Sequence, residues 1–140
     1  MEKTDKKKVL FLCTHNSARS QIAEGLMNSL YGERYEAFSA GTEPSEVNQY
    51  AIEVMSEIGI DISGHRSKGL EEFLSKEFDY GITVCDHANE VCPIFPGGKE
   101  RIHRAFIDPA AVEGDMEEKI QAFRKTRDEI LKWIRESFKK

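Results

Sequence analysis

Apolar and polar positions alternate along this chain between two periods. Residues 8–13 form a short apolar run rich in β-formers, and Ile22, Ala23, Leu26, Met27 and Leu30 then recur at helical spacing over residues 20–31. Tyr35 to Ala40 reads as a second strand, stopped by Gly41 and the loop around Pro44. This completes a β-α-β unit. From Asn48 to Glu57 the positions Ala51, Ile52, Val54 and Met55, with Ile58 beyond them, predict a second helix ended by Gly59. Asp61, Ser63 and Gly64 supply turn chemistry, a short helix is expected from about Leu70 to Lys76, and Tyr80 to Cys85 reads as a third strand. The stretch Pro93 to Gly98 reads as loop. Arg101 to Ile107 alternates as a half-buried or edge strand would, and Met116 to about Phe138 predicts a long closing helix. Its stripe of Ile120, Phe123, Ile130, Leu131, Ile134 and Phe138 is most simply core.

Strands alternating with helices imply an α/β fold, a four-stranded open parallel sheet with helices on both faces and right-handed crossovers. In such sheets ligands bind beyond the carboxyl ends of the strands. Cys13, Cys85 and Asp108 all fall at those ends. Three reactive residue types therefore share one edge.

Candidate chemistry concentrates in the run Cys13-Thr14-His15-Asn16-Ser17-Ala18-Arg19-Ser20. A thiol at the end of a buried strand, followed by a tight polar loop and a helix N-terminus, sits where backbone N–H groups converge on negative charge. Arg19 offers a planar fork able to grip two oxygens of a tetrahedral oxyanion. Ser20 is placed to cap the helix and to donate its hydroxyl to the sulfur. Asn16 tolerates the left-handed backbone that such a loop needs, and with Ser17 it reads as loop scaffolding within the site. A cationic partner and a helix N-terminus favour the thiolate of a cysteine. The cysteine-to-arginine spacing alone is a weak signal; strand, loop, Arg-Ser and helix in succession make it strong.

Composition narrows the field. At 140 residues the chain suits one domain, residues 1–140, able to bury a core without disulfides or metal. A formal charge of −5, with basic residues scattered among acids, argues against a nucleic-acid-binding surface. There is no apolar run near membrane-spanning length, and Met1 to Lys8 is too polar for a signal peptide, so a soluble cytoplasmic protein is expected. Three cysteines suit transient redox use better than a fixed framework. Cys85 and Cys92 could still be inert buried thiols, or hold a metal with His87, although the spacing is unlike common zinc sites. Asp108-Pro109 alone is a common turn signal. His65, His87 and His103 read as surface or satisfied polar residues without assigned roles.

The cysteine loop, Asp108-Pro109, and the pair Cys85 and Cys92 followed by Pro93 together resemble the thioredoxin-coupled arsenate reductases, which share the low-molecular-weight protein tyrosine phosphatase fold. Ser39-Ala40-Gly41, Ala51-Ile52 and Arg127-Asp128-Glu129-Ile130 extend the likeness nearly end to end. The resemblance implies a three-layer sandwich with strand order 2-1-3-4. It also implies that Cys13 attacks arsenate opposite Arg19 and the loop amides while Asp108 protonates the departing oxygen. Cys85 would then attack the Cys13 sulfur, releasing arsenite, and Cys92 would move the disulfide out to Cys85–Cys92 for reduction by thioredoxin. The polar segment Asp86 to Val91 would bend or unwind for that handover. Arsenate and thioredoxin are thus the implied partners, with no bound cofactor and a monomeric chain.

Some positions depart from the family pattern. Ala18 stands where many relatives carry a further cysteine outside the relay, and His15 stands where glycine is common. Relatives that bind potassium beside this loop use an Asn, a Glu, a Ser and an Asp; Asn16, Glu24 and Ser39 match three, but Lys68 stands in place of the acid, so no potassium site is expected. The main rival reading is a phosphatase working through a phosphocysteine on Cys13 with Arg19 and Asp108. Phosphatases of this fold place tyrosines after the Asp-Pro, whereas here Ala110 and Ala111 follow. A non-catalytic anion sensor would keep the loop without needing Cys92 or Asp108.

Overall fold

The computed structural model describes residues 6–86 and 97–138. A parallel sheet carries four strands: β1 (Lys7–Cys13), β2 (Tyr35–Gly41), β3 (Phe78–Thr83) and β4 (Gly98–His103), in the order β2-β1-β3-β4. The expected order 2-1-3-4 is the observed one. β1 is central because Val9 to Cys13 are buried in succession, the continuous apolar run required of a strand covered on both faces. β2 and β4 are the edge strands, and on β4 Lys99, Glu100 and Arg101 keep the exposed side charged.

The helices α1 (Arg19–Tyr31), α2 (Gln49–Ser56) and α3 (Met116–Ser137) pack against one another and enclose the larger core. Val9, Phe11 and Ile82 meet Ile22, Leu26, Val54, Phe123 and Ile130 there. The other face is smaller. Leu10, Leu12 and Ala40 are covered by Phe73 and Phe78 together with a 3-10 helix, Leu70–Phe73. The predicted Leu70–Lys76 helix is thus a single tighter turn, finished by the bond from Lys76 N–H to the Phe73 carbonyl. Asn48 caps α2 by accepting the Tyr50 N–H, and Asp115 with Glu118 forms a capping box on α3.

Two strand boundaries differ from the sequence reading. β3 runs Phe78–Thr83, so Cys85 lies just past its end; β4 runs Gly98–His103 and not 101–107. Gly98 belongs to the strand because the two chains approach closely: a Cβ there would lie 2.9 Å from the Gly81 nitrogen. Beyond His103 the chain still follows β3, with Arg104 N–H bonded to the Thr83 carbonyl and Phe106 N–H to the Val84 carbonyl. That continued pairing carries the chain on to Asp108.

Candidate active site

β1 delivers Cys13 to the carboxyl edge of the sheet, where the side chain is almost wholly buried and the thiol is free. Gly41 pairs with it from β2. A Cβ on Gly41 would fall 2.5 Å from the Thr14 oxygen and 2.9 Å from the Asn16 nitrogen, so only glycine lets the loop fold back this tightly. Asn16 is the one non-glycine residue with positive φ among the described residues, at 52°. The left-handed turn expected from its residue type is present.

The rest of the loop is fastened by its own main chain. The Thr14 carbonyl accepts from Glu43 N–H at 2.8 Å, and the Ser17 carbonyl from Asn48 N–H at 2.9 Å. His15 is exposed, with Nδ1 3.0 Å from the Glu43 carbonyl, while its own carbonyl accepts from the Ser67 hydroxyl at 2.8 Å. Ala18 is buried at the N-cap position of α1, which has no side-chain cap. Ser20 therefore does not cap the helix as its residue type suggested, because it already lies within the first turn. Its hydroxyl faces the Cys13 sulfur at 2.8 Å and accepts from Asn16 Nδ2 at 2.8 Å. The expected contact with sulfur is there; the cap is not.

Arg19 is buried, and its fork is aimed from the opposite side. Nη1 donates to the Phe106 carbonyl at 3.1 Å, and Nη2 lies 3.7 Å from Asp108 Oδ2. Asp108 is about one-third exposed, and its Oδ1 accepts from Ala110 N–H at 2.9 Å, capping the short turn Pro109–Ala111. Asp108-Pro109 is thus both a turn and part of the site. Ala110 and Ala111 are exposed, so no aromatic wall rises at that position.

The second cysteine reaches the same edge through the neighbouring strand. Val84 N–H bonds to the Leu12 carbonyl at 2.9 Å, and each chain then takes one further step, to Cys13 and to Cys85. Both cysteines belong to the same buried cluster. Cys85 is disulfide-bonded. Cys92 and His87 lie outside the described residues.

Behind the loop, the residues matching three of the potassium ligands gather around Lys68. Its Nζ lies 3.8 Å from Glu24 Oε1, which also accepts from the Ser39 hydroxyl, and donates to the Arg66 carbonyl at 3.0 Å. The Lys68 main-chain N–H holds Asn16 Oδ1 at 2.8 Å. Among the described residues, no group of three or more His, Cys, Asp or Glu is placed to hold a metal ion. Three participants escaped the sequence reading: the Phe106 carbonyl, Gly41 as a close-approach residue, and Gln21. Only Gln21 left a trace, as a polar residue among the buried positions of α1.

A parallel sheet that ends its central strand in a free thiol, followed by a left-handed asparagine loop, a buried arginine and a helix start, defines an α/β fold with a cysteine–arginine loop at its carboxyl edge. The chain belongs to the low molecular weight phosphotyrosine protein phosphatase family, whose model matches residues 8–140. It is 47% identical to an arsenate reductase of Halalkalibacterium halodurans over 131 residues, 94% of either chain. Among solved structures it is similar to an arsenate reductase in the phosphate binding state, at 31% identity and a TM-score of 0.75 over 93% of this chain and 95% of that one. A thioredoxin-dependent arsenate reductase of Corynebacterium glutamicum matches at 31% identity and a TM-score of 0.63, over 98% of this chain and 66% of that one.

Proposed function

We propose that this chain reduces arsenate to arsenite through Cys13, Cys85 and Cys92, with thioredoxin as the external reductant. Cys13 as thiolate attacks arsenic, forming a sulfur–arsenic bond while an oxygen leaves with a proton from Asp108. Cys85 then attacks the Cys13 sulfur; the sulfur–arsenic electron pair stays on arsenic, which departs as arsenite, and a Cys13–Cys85 disulfide remains. Cys92 displaces Cys13 from Cys85, and the dithiol of thioredoxin reduces the resulting pair. Two electrons pass from thioredoxin to arsenic in each turnover.

The observation that carries this reading is the placement of Cys85 just past the end of β3, one residue beyond the hydrogen bond from Val84 N–H to the Leu12 carbonyl, as Cys13 lies one residue beyond Leu12. A phosphatase needs no second thiol there. The exposed Ala110 and Ala111 favour the same choice, since a phosphotyrosine ring would find no aromatic partner on that rim. Arg19 must exchange Asp108 for the oxyanion on binding, which frees Asp108 to take up the proton it later gives. The loop supports slow hydrolysis of an aryl phosphate as a side activity. The reading further includes a monomeric cytoplasmic protein without a bound cofactor; among the described residues no helix is long and apolar enough to cross a membrane.

The test is arsenate-dependent NADPH oxidation with thioredoxin and its reductase, measured beside aryl phosphate hydrolysis, for the parent, Cys85→Ser and Cys92→Ser. Loss of the first activity with survival of the second is expected. Multiple-turnover arsenate reduction that survives in Cys92→Ser would overturn the relay.

A further inference from the structure

The segment that carries the chain from β4 to Asp108 holds a second arginine, and no reaction step uses it. Arg104 is exposed, yet its guanidinium is fixed at two points. Cζ stands 4.5 Å from the centroid of the Phe106 ring, within the range of a cation–π contact, and Nη1 donates to the Ala105 carbonyl at 2.6 Å. Phe106 itself is buried, and its own carbonyl accepts from Arg19 Nη1 at 3.1 Å. One arginine therefore rests on the residue that holds the other.

The peptide between Ala105 and Phe106 makes this contact directional. A peptide unit is planar, so its carbonyl and its N–H turn together. Here the N–H is bonded to the Val84 carbonyl at 3.2 Å and the carbonyl takes Arg104, so the plane is held at both ends. The ring that follows is held by the guanidinium and by Trp133, whose ring centroid lies 6.3 Å away at an interplanar angle of 73°. With the preceding plane and the ring both fixed, only ψ of Phe106 is left to set where its carbonyl points. That carbonyl meets Arg19 Nη1, while Nη2 faces Asp108 at 3.7 Å. Phe106 also has core partners of its own in the main cluster, so a substitution at Arg104 leaves the ring a place to sit.

We infer that Arg104 is a positioning residue for Arg19: stacked on Phe106 and bonded to the Ala105 carbonyl, it fixes the Phe106 carbonyl on which the Arg19 fork rests before the oxyanion arrives. The inference rests on the reading of Arg19 as the residue that grips the oxyanion. Without Arg104 the carbonyl is free to swing, and Arg19 then loses part of its orientation each time the site is empty. The loss falls on oxyanion binding, because Arg19 must be ordered again when the anion enters.

The test measures how inorganic phosphate protects Cys13 from iodoacetamide in the reduced full-length protein, read by mass mapping of the Cys13 peptide, beside kcat and KM for arsenate. Arg104→Ala should need about two- to fivefold more phosphate for half protection, the scale of one exposed cation–π contact, and raise KM by a similar factor with kcat little changed. Arg104→Lys keeps a cation for the ring and should recover most of that loss. In a Phe106→Leu background the effect of Arg104→Ala should largely vanish, since the ring through which it acts is gone. Equal protection of the parent and Arg104→Ala, or an undiminished effect in Phe106→Leu, would overturn the inference. So would an effect that disappears in about 1 M sodium chloride, where screening removes attraction at a distance but leaves a contact in place; this comparison decides even if Phe106→Leu fails to fold. Phosphate that protects Cys13 equally well in Arg19→Ala would overturn the gripping role of Arg19 instead, whatever the Arg104 variants show.

Discussion

The polar groups behind the Cys13 loop and those where α2 meets α3 solve opposite problems with different materials. Behind the loop, neutral amides and hydroxyls are buried and held by main-chain donors and acceptors, so each side chain has one orientation open to it. At the helix junction, Glu57 meets the partly exposed Arg124 and the buried Arg127, with several overlapping contacts between 2.8 and 3.1 Å. The first arrangement is directional and has no spare parts. The second is redundant and screened by solvent. A loop that must hold one shape around a buried thiol is built the first way; a seam that must only stay closed can be built the second way.

The sharpest way to break the directional region is Arg19→Lys. A lysine keeps the positive charge but loses the fork that holds the Phe106 carbonyl with one nitrogen while the other faces Asp108. A fall of about 100- to 1,000-fold in kcat for arsenate is expected, the scale of losing one preorganised donor to developing charge. A variant within tenfold of the parent would mean that charge alone suffices. Next is Asp108→Asn, which can still cap Ala110 but cannot supply a proton. About 100-fold lower arsenate turnover with an unchanged melting temperature is expected, and steady-state kinetics beside a thermal melt separate the two roles. If stability falls with activity, the turn matters more than the acid.

Gly41→Ala tests how tightly the loop is packed. Its Cβ would meet three loop backbone atoms, and overpacking of this kind costs about 1–3 kcal/mol, to be measured by denaturant unfolding. The same position shows how far the sequence could be read. Periodicity placed β1, β2 and the three α-helices because each buries a continuous set of apolar positions, and the cysteine, the arginine and the left-handed asparagine were visible because few residue types suit those places. Gly41 looked like a strand terminator, since close approach between distant segments leaves no local mark. Gln21 stayed hidden for the same reason: its partners lie on other segments, and a buried glutamine looks like any polar residue until its neighbours are known. The edge of β4 was misplaced because Gly98 reads as loop wherever the strand it presses against is unknown.

The smallest effect is expected at the redundant seam. Glu57 is the C-cap of α2, where a negative charge opposes the helix dipole, and the two arginines offset that cost. Its carboxyl is held below the usual glutamate range, chiefly by the hydrogen bond from Arg124; desolvation works against this, and the Arg127 hydrogen bond and the two positive charges lower it further. A depressed carboxyl contributes stability that is complete above its unfolded value and is lost as pH falls through its folded value. Glu57→Gln removes the charge, the dipole repulsion and the pairing together, while Arg127 keeps its bond of 2.8 Å to the Val54 carbonyl. Parent and variant should therefore differ slightly in melting temperature at neutral pH and converge as the pH drops below the carboxylate range. A loss as large as that of Gly41→Ala would show that this seam, too, depends on a single directed contact.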